Sequence, residues 1–142
     1  MEENNIKKGV TAIIYDDMGK PYFLILKRQL NWEGWEFAKG GIKEGESEVD
    51  AIQREVIEET GLQKFKVIKK IEDVKKEYKD DNGVLSVHAV YLIEASMNIP
   101  IHIPKEEGAE HSTYLWGDAD SVMSKLTWDE DKSILKKVLE EL

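Results

Sequence analysis

Short apolar runs rich in β-branched residues alternate with polar segments along most of the chain, a pattern typical of strands joined by turns. Five such runs predict strands, at residues 9–15, 22–26, 65–78, 84–95 and 112–116. The polar residues 16–21 predict a hairpin connection between the first two strands. Residues 80–83, which end in Asn-Gly, predict a second hairpin between the next two.

Apolar residues at helical spacing predict an amphipathic helix over residues 48–60. Ser47 precedes this segment and is a favourable N-cap, with Asp50 in the position of a capping-box acid. Gly61 follows the segment and predicts the end of the helix, because glycine readily adopts the left-handed conformation found after helix C-termini.

The closing segment of the chain has apolar residues at intervals of four and predicts a second long helix, which begins after Thr127. Thr127 is predicted to cap it, with Glu130 three residues further on completing a capping box. A shorter helix is predicted at residues 120–126. Strands that surround one central helix, with another helix closing the chain, indicate an α/β layered domain with a mixed sheet.

Composition narrows the class of protein further. With 142 residues, of which 41% are hydrophobic, the chain is expected to form a single domain with its own core. It contains no cysteine, which excludes disulfides, zinc–thiolate sites and thiol nucleophiles and agrees with a cytoplasmic location. No apolar stretch approaches the roughly 20 residues of a membrane-spanning helix, so we expect no association with a membrane.

The formal net charge of −9 is unfavourable for a general nucleic-acid-binding protein, which normally presents a basic surface. An acidic surface also keeps a protein in solution without any further role. If the ligand is itself an anion, however, the charge indicates that a cation lies between protein and ligand.

Three glutamates on the first predicted helix form the most informative cluster. Glu55, Glu58 and Glu59 have the spacing i, i+3, i+4 and therefore share one arc of the helix surface. Carboxylates placed this closely repel one another, and enclosure of the site would increase the cost of ionising them. A solvated acidic surface is one interpretation; binding of Mg²⁺, which prefers oxygen ligands, is the other.

The three acids belong to a longer pattern, Gly40-x5-Glu46-x7-Arg54-Glu55-Val56-x-Glu58-Glu59-x-Gly61-Leu62. This segment resembles the Nudix box and matches it at every defining position. The resemblance implies an α/β/α sandwich with a mixed sheet and a catalytic loop–helix–loop, in one domain over residues 1–142. It also implies a pyrophosphohydrolase that requires Mg²⁺, or Mn²⁺ in its place.

The resemblance assigns a role to each charged residue of the pattern. Glu55, Glu58 and Glu59 are the expected metal ligands, and Glu58 and Glu59 are also expected to take part in catalysis. Arg54 is expected to orient a glutamate by ion pairing and so to assist catalysis. Glu46 is expected to brace the loop against the helix.

Gly40 and Gly61 are expected to serve backbone turns that a side chain would obstruct. The chemistry implied is attack by a metal-bound water on a phosphoanhydride, with a glutamate near the metals accepting the proton. No covalent enzyme intermediate is needed, which agrees with the absence of cysteine.

The segment before the box, residues 35–41 (WEFAKGG), is similar to the lead-in of the diadenosine tetraphosphate hydrolases and the diphosphoinositol polyphosphate phosphatases. Ala38 departs from the usual proline. Lys39 matches the family lysine that contacts a phosphate. Lys27, at the end of a predicted strand, is a further candidate for substrate binding, or else a solvated surface lysine. Trp32 is either exposed near the base pocket or packed.

Two later features point to the same hydrolases. Tyr78 lies 16 residues beyond the box, where the resemblance implies an aromatic ring that stacks on adenine; an ordinary strand aromatic is the alternative. Residues 110–116 (EHSTYLW) resemble a segment whose glutamate assists the metal site. Glu110 is therefore a predicted metal ligand and catalytic residue, whereas the nearby Glu106 and Glu107 do not match the pattern.

The expected function is hydrolysis of a phosphoanhydride bond in a small nucleoside polyphosphate, with diadenosine tetraphosphate cleaved to ATP and AMP. The alternatives are removal of 5′-terminal pyrophosphate from RNA and hydrolysis of diphosphoinositol phosphates, both of which favour a broader basic surface than the charge of −9 indicates. A non-catalytic Nudix-fold nucleotide sensor is the alternative from a different class, although loss of box acids would be expected in it.

Overall fold

The computed structural model describes residues 6–80 and 82–142. Within these ranges the chain forms seven strands and three helices. The strands are β1 (Lys7–Asp17), β2 (Pro21–Arg28), β3 (Gly34–Glu36), β4 (Ala38–Gly41), β5 (Lys66–Lys79), β6 (Leu85–Glu94) and β7 (His111–Asp118). The helices are α1 (Glu48–Thr60), α2 (Ala119–Lys125) and α3 (Asp129–Glu141).

The strands form a mixed sheet in the order β3-β2-β1-β6-β5, with β4 also paired to β1 and β7 to β2. β1 runs parallel to β6 and antiparallel to β2 and β4. The pairing of β1 is divided along its length: residues 15–17 pair with β2, and residues 9–12 pair with β4. β4 thereby places the start of the box segment directly beside the central strand.

Helices cover both faces of the sheet, as successive strand residues point to opposite sides. On one face, Ala12 and Ile14 of β1 pack in a buried cluster with Ile52 and Val56 of α1. On the other face, Ile13 belongs to a second cluster, together with residues of α2 and α3. The predicted α/β/α sandwich with a mixed sheet is confirmed.

The local signals around α1 are confirmed. The Ser47 hydroxyl accepts a hydrogen bond from the backbone N–H of Asp50 at 3.0 Å, which makes Ser47 the N-cap. Gly61 ends the helix in the left-handed conformation, with φ of 73°, and its N–H donates to the carbonyl of Ile57. The predicted limits, residues 48–60, are those of the helix.

Three sequence-based expectations need correction or completion. The capping role predicted for Thr127 is wrong: Trp128 occupies the N-cap of α3 without a side-chain cap, and the Thr127 hydroxyl accepts from the backbone N–H of Trp35 instead. The short strands β3 and β4 were not predicted. In the predicted turn at residues 80–83, Asp81 lies outside the described residues, while Gly83 N–H donates to the Asp80 carbonyl.

Among the described residues, no helix combines the length and apolar character needed to cross a membrane.

Candidate active site

Arg54 ties the loop before α1 to the acidic edge of that helix. Its guanidinium donates two hydrogen bonds to Glu46, at 2.6 and 2.9 Å, and one to the Gly41 carbonyl at 2.8 Å. Its Nη1 also donates to Glu55 at 2.8 Å and to Glu58 at 3.2 Å. The bonds from Arg54 and from the Lys43 N–H lower the pKa of Glu46 to about 2, so the loop brace is fully ionised at neutral pH.

The two box glycines each adjoin an atom group that a side chain would displace. A Cβ added at Gly40 would collide with the carboxylate of Glu55, which lies against the Gly40 backbone. A Cβ at Gly61 would lie 2.8 Å from the Cβ of His102, and the positive φ of Gly61 disfavours any side chain there. The obstruction expected from the sequence therefore has a specific partner at each position.

Glu59 and Glu55 lie in an environment that favours their protonated forms. Glu59 accepts a hydrogen bond from the Lys39 backbone N–H at 3.1 Å, which opposes this tendency. Burial, together with repulsion from Glu110 and Glu55, nevertheless raises the pKa of Glu59 well above its usual value. Burial also raises the pKa of Glu55, against the stabilising contact with Arg54. The site concentrates negative charge that its own cations do not neutralise.

These acids line a cleft of about 580 Å³, called the acidic cleft below. Its lining residues are Leu30, Lys39, Gly40, Gly41, Glu55, Glu58, Glu59, Pro104, Glu106, Gly108, Ala109, Glu110 and His111. Glu110 reaches it from the segment before β7, and its Oε1 accepts a hydrogen bond from Arg28 at 3.3 Å. Glu106, which does not match the family pattern, lines the same cleft.

The donor set of the acidic cleft fits a hard divalent cation. Glu59, Glu110 and His111 each offer one ligand atom, and these atoms lie within 4.8 Å of one another. Glu55 and Glu58 line the same cleft and add further carboxylate oxygens. Carboxylates whose pKa values are raised by burial and mutual repulsion are the groups that a bound cation would stabilise in the ionised state.

A second cleft, of about 470 Å³, adjoins the first and is called the aromatic cleft below. Its lining residues are Arg28, Asn31, Trp32, Glu36, Lys39, Lys76, Tyr78, Lys79, Asp80, Trp128 and Glu130. Lys39 lines both clefts. The structure thus brings Tyr78 and Lys39 to one cavity, adjacent to the box acids.

Three aromatic residues, Trp32, Tyr78 and Trp128, line this cleft. The Tyr78 ring lies edge-on to the ring of His88, with centroids 5.4 Å apart. Trp32 packs edge-on against Trp128 at 5.1 Å, and the Arg28 guanidinium lies 5.8 Å from the Trp32 ring. Trp32 is therefore both packed and part of the cleft wall, so the two interpretations of this residue are compatible.

Glu36 is a buried carboxylate that links the two clefts, and its role was not predicted. It is 0% exposed and contacts the cations Arg28 at 3.2 Å and Lys39 at 3.6 Å, as well as His111 Nε2 at 2.7 Å. Burial alone would raise the pKa of Glu36; the His111 hydrogen bond and the two cations outweigh it and lower the pKa to about 2. Attraction to Glu36 likewise outweighs burial and raises the pKa of Lys39.

Lys27 was a candidate for substrate binding from the sequence, but its neighbour Arg28 is the residue that lines the aromatic cleft. Lys27 lines neither cleft: its ammonium lies 5.5 Å from the ring centroid of Trp35. Arg28, its neighbour, faces the aromatic cleft because successive strand residues point to opposite sides. A charged residue between the apolar Trp35 and Phe37 was the sequence signal for Glu36. No comparable signal marked Arg28.

The family model of the NUDIX domain matches residues 6–138, which is nearly the whole chain. The chain therefore belongs to the NUDIX domain family, as the box had indicated. The match spans one domain, and residues 1–5 lie outside the described part of the structure.

A curated relative is similar to the chain over a shorter stretch. The chain is 36% identical over 73 residues to the RNA pyrophosphohydrolase of Bartonella bacilliformis, which corresponds to 47% of this chain and 43% of that protein. The chain thus spans less than half the length of this relative.

Two solved structures share the fold over most of the chain. The Ap4A hydrolase of C. elegans, in a binary complex, has a TM-score of 0.81 at 23% identity and covers 95% of this chain and 96% of that one. The NUDIX domain of Shewanella oneidensis NrtR, complexed with ADP ribose, has a TM-score of 0.72 at 18% identity, with 95% and 87% coverage. At these identities the likeness concerns the fold.

Proposed function

We propose that this protein is a metal-dependent pyrophosphohydrolase that cleaves dinucleoside polyphosphates, with diadenosine tetraphosphate hydrolysed to ATP and AMP. The observation that carries the proposal is the junction of two unlike clefts at Lys39. One cleft concentrates carboxylates suited to a divalent cation, and the other combines aromatic rings with buried cations. A substrate with a polyphosphate chain and a nucleobase has parts that match both.

Glu55, Glu58, Glu59 and Glu110 would hold Mg²⁺, or Mn²⁺ in its place. When bound, the metal lowers the pKa of a coordinated water and withdraws charge from the phosphate oxygens. Arg54 keeps two of these acids in place through its bonds to Glu55 and Glu58.

Side chains of the protein would also accept the proton and orient the substrate. Glu58 and Glu59 line the acidic cleft, and either carboxylate would accept the proton of the attacking water. Lys39 would contact a phosphate oxygen from its position between the clefts. Tyr78 would stack on an adenine, since its ring borders the aromatic cleft. The absence of cysteine agrees with a cytoplasmic location for this activity.

Removal of pyrophosphate from the 5′ end of RNA is the second candidate, and the similarity to the Bartonella RNA pyrophosphohydrolase favours it. The net charge of −9 favours a small ligand over a long polyanion. The same charge is unfavourable for diphosphoinositol phosphates. A non-catalytic sensor is less favoured, because every acid of the box is present.

The proposal is tested with a substrate panel: diadenosine tetraphosphate, nucleoside triphosphates, 5′-triphosphorylated RNA and a diphosphoinositol phosphate, each with Mg²⁺ and with products separated by chromatography. We expect AMP and ATP in equal amounts from diadenosine tetraphosphate, at the highest kcat/KM of the panel. A Glu58→Gln/Glu59→Gln preparation controls for contaminating phosphatases. A higher kcat/KM for triphosphorylated RNA would replace the proposal with the second candidate.

A further inference from the structure

The aromatic cleft contains a buried lysine that has no part in the proposed mechanism. Lys76 of β5 is 4% exposed, yet it lines the cleft, whereas its neighbours Lys75 and Glu77 are exposed. Its ammonium donates a hydrogen bond to Oδ1 of Asp131 at 2.8 Å. Asp131 lies in the first turn of α3 and is 0% exposed, so the ion pair joins the edge of the sheet to the closing helix.

This ion pair is poorly suited to a purely structural role. Removing two charges from water is costly, and an apolar pair of similar volume often stabilises a fold as well or better. Asp131 is also incompletely satisfied, because its Oδ2 has no hydrogen-bond partner among the described residues. A buried ammonium held in this way is better explained by something that it binds.

Lys76 is one of four cationic residues that line the cleft, together with Arg28, Lys39 and Lys79. The buried carboxylates that face Arg28, Lys39 and Lys76 are Glu36 and Asp131. Asp80 and Glu130 also line the cleft, so with Asp131 included these described residues comprise four cations and four anions. An ammonium has three N–H donors, and the hydrogen bond to Asp131 uses one of those of Lys76.

The positions of two ammonium groups relative to the Tyr78 ring indicate which part of a ligand they would contact. The ammonium groups of Lys39 and Lys76 lie 5.5 and 5.6 Å from the centroid of the Tyr78 ring. Both ammonium groups therefore border the ring on which the proposed function places the base. Ionised phosphate, with several acceptor oxygens, matches such a pair of donors.

We propose that Lys76 and Lys39 form a phosphate-binding subsite in the aromatic cleft, which binds the phosphate of a nucleotide, and that Asp131 positions the Lys76 ammonium. This inference deepens the proposed function and rests on it in one respect: the aromatic cleft is taken to bind the nucleotide part of the substrate. Lys76 does not line the acidic cleft, whereas Lys39 lines both clefts.

The experiment measures binding without turnover. ADP and adenosine, which differ by the diphosphate, are titrated by calorimetry into the full chain in the presence of chelator. We expect wild type to bind ADP at least tenfold more tightly than adenosine, because charge-assisted hydrogen bonds are the stronger class. Lys76→Met should weaken ADP binding about tenfold and change adenosine binding less than twofold. Lys75→Met, the exposed neighbour on the same strand, should change neither.

A second variant separates binding from folding. Lys76→Met leaves Asp131 buried and unpaired, so Lys76→Met/Asp131→Leu removes the whole pair and is expected to melt at or above the wild-type temperature. It should lose ADP affinity to the same extent as Lys76→Met. If the folded double variant binds ADP as tightly as wild type, the pair only supports the fold and the proposal is overturned.

Failure of the subsite and failure of the proposed function give different results. Equal affinities of wild type for ADP and adenosine in chelator would overturn the subsite, even if Mg²⁺-dependent cleavage of diadenosine tetraphosphate is normal. Absence of that cleavage would overturn the proposed function, whereas Lys76-dependent ADP binding in chelator would still support a phosphate-binding subsite.

Discussion

The two clefts that meet at Lys39 differ in how their charges are balanced. In the acidic cleft, Glu55 and Glu59 have raised pKa values because burial and neighbouring carboxylates oppose ionisation. In the aromatic cleft, Glu36 has a pKa lowered to about 2 because Arg28, Lys39 and His111 surround it. One region needs an added cation to become stable in its ionised form, whereas the other already contains its counter-charges.

The difference shows how one small domain can bind a substrate with unlike ends. A preformed network, such as the one around Glu36, holds side chains in place before any ligand arrives. A repulsive cluster of acids gains stability only when a cation binds, so binding energy is concentrated there. Arg28 contacts acids from both regions, Glu36 and Glu110, and thereby couples their geometry.

Removal of the metal is expected to have the largest effect on activity and to separate the two clefts most clearly. Chelator should abolish hydrolysis of diadenosine tetraphosphate, and added Mg²⁺ or Mn²⁺ should restore it, because the carboxylates that line the acidic cleft outnumber its cationic side chains. ADP binding to the aromatic cleft, followed by calorimetry, should persist in chelator. Full hydrolytic activity after exhaustive metal removal would show that the metal-dependent mechanism is wrong.

Glu58→Gln and Glu59→Gln should each lower kcat by about a hundredfold or more, since metal-assisted charge stabilisation contributes several kcal/mol. Melting temperatures without metal should not decrease, because each change removes one repulsive charge. Glu107→Gln, an exposed acid outside the cleft lining, is the matched control and should retain wild-type kcat. Near-normal turnover in both cleft variants would rule out the metal-site assignment.

Tyr78→Ala should act mainly on binding. Stacking of a base on an aromatic ring contributes roughly 1–3 kcal/mol, so KM for diadenosine tetraphosphate should rise about five- to a hundredfold with a smaller change in kcat. Tyr78→Phe should cost little, because the ring makes the contact. Steady-state kinetics of the two variants test this; an unchanged KM in Tyr78→Ala would remove the adenine-stacking role.

The aromatic cleft should also contribute to stability in a pH-dependent way. The pKa of Glu36 is lowered in the folded state, so its contribution is fully present above the unfolded value of 4.5 and is lost as pH falls towards 2. The contribution is at most about 3 kcal/mol. In urea unfolding, Glu36→Gln should be clearly less stable than wild type at pH 7, and the gap should narrow by pH 3. A gap of constant size would contradict the assigned pKa.

The parts of the molecule that were predicted depend on signals close together in the sequence. The limits of α1 follow from Ser47 and Gly61, which act within one turn of the helix ends. The box acids share one arc because helix geometry alone places them there. Predicting these features requires no knowledge of contacts between segments that are distant in the sequence.

The parts that were not predicted depend on pairing between distant segments. β3 and β4 exist because β2 and β1 offer them hydrogen bonds, and their own short sequences carry no clear periodicity. Thr127 is of a residue type favoured at helix N-caps, but its hydroxyl accepts a hydrogen bond from the distant Trp35 N–H instead. Arg28 faces the site and Lys27 does not because of the alternation of β2 and the register shift between these residues.

The close approach of Glu55 to Gly40 has a practical consequence. Because a Cβ at Gly40 would occupy the space of that carboxylate, one added methyl group is enough to dislodge a predicted metal ligand without altering any charge. We therefore expect Gly40→Ala to displace the Glu55 carboxylate and to lower activity while every acid of the motif is retained. Among related chains, an inventory of acids alone would misjudge such a molecule as active, so the glycine belongs in any sequence criterion for an intact site.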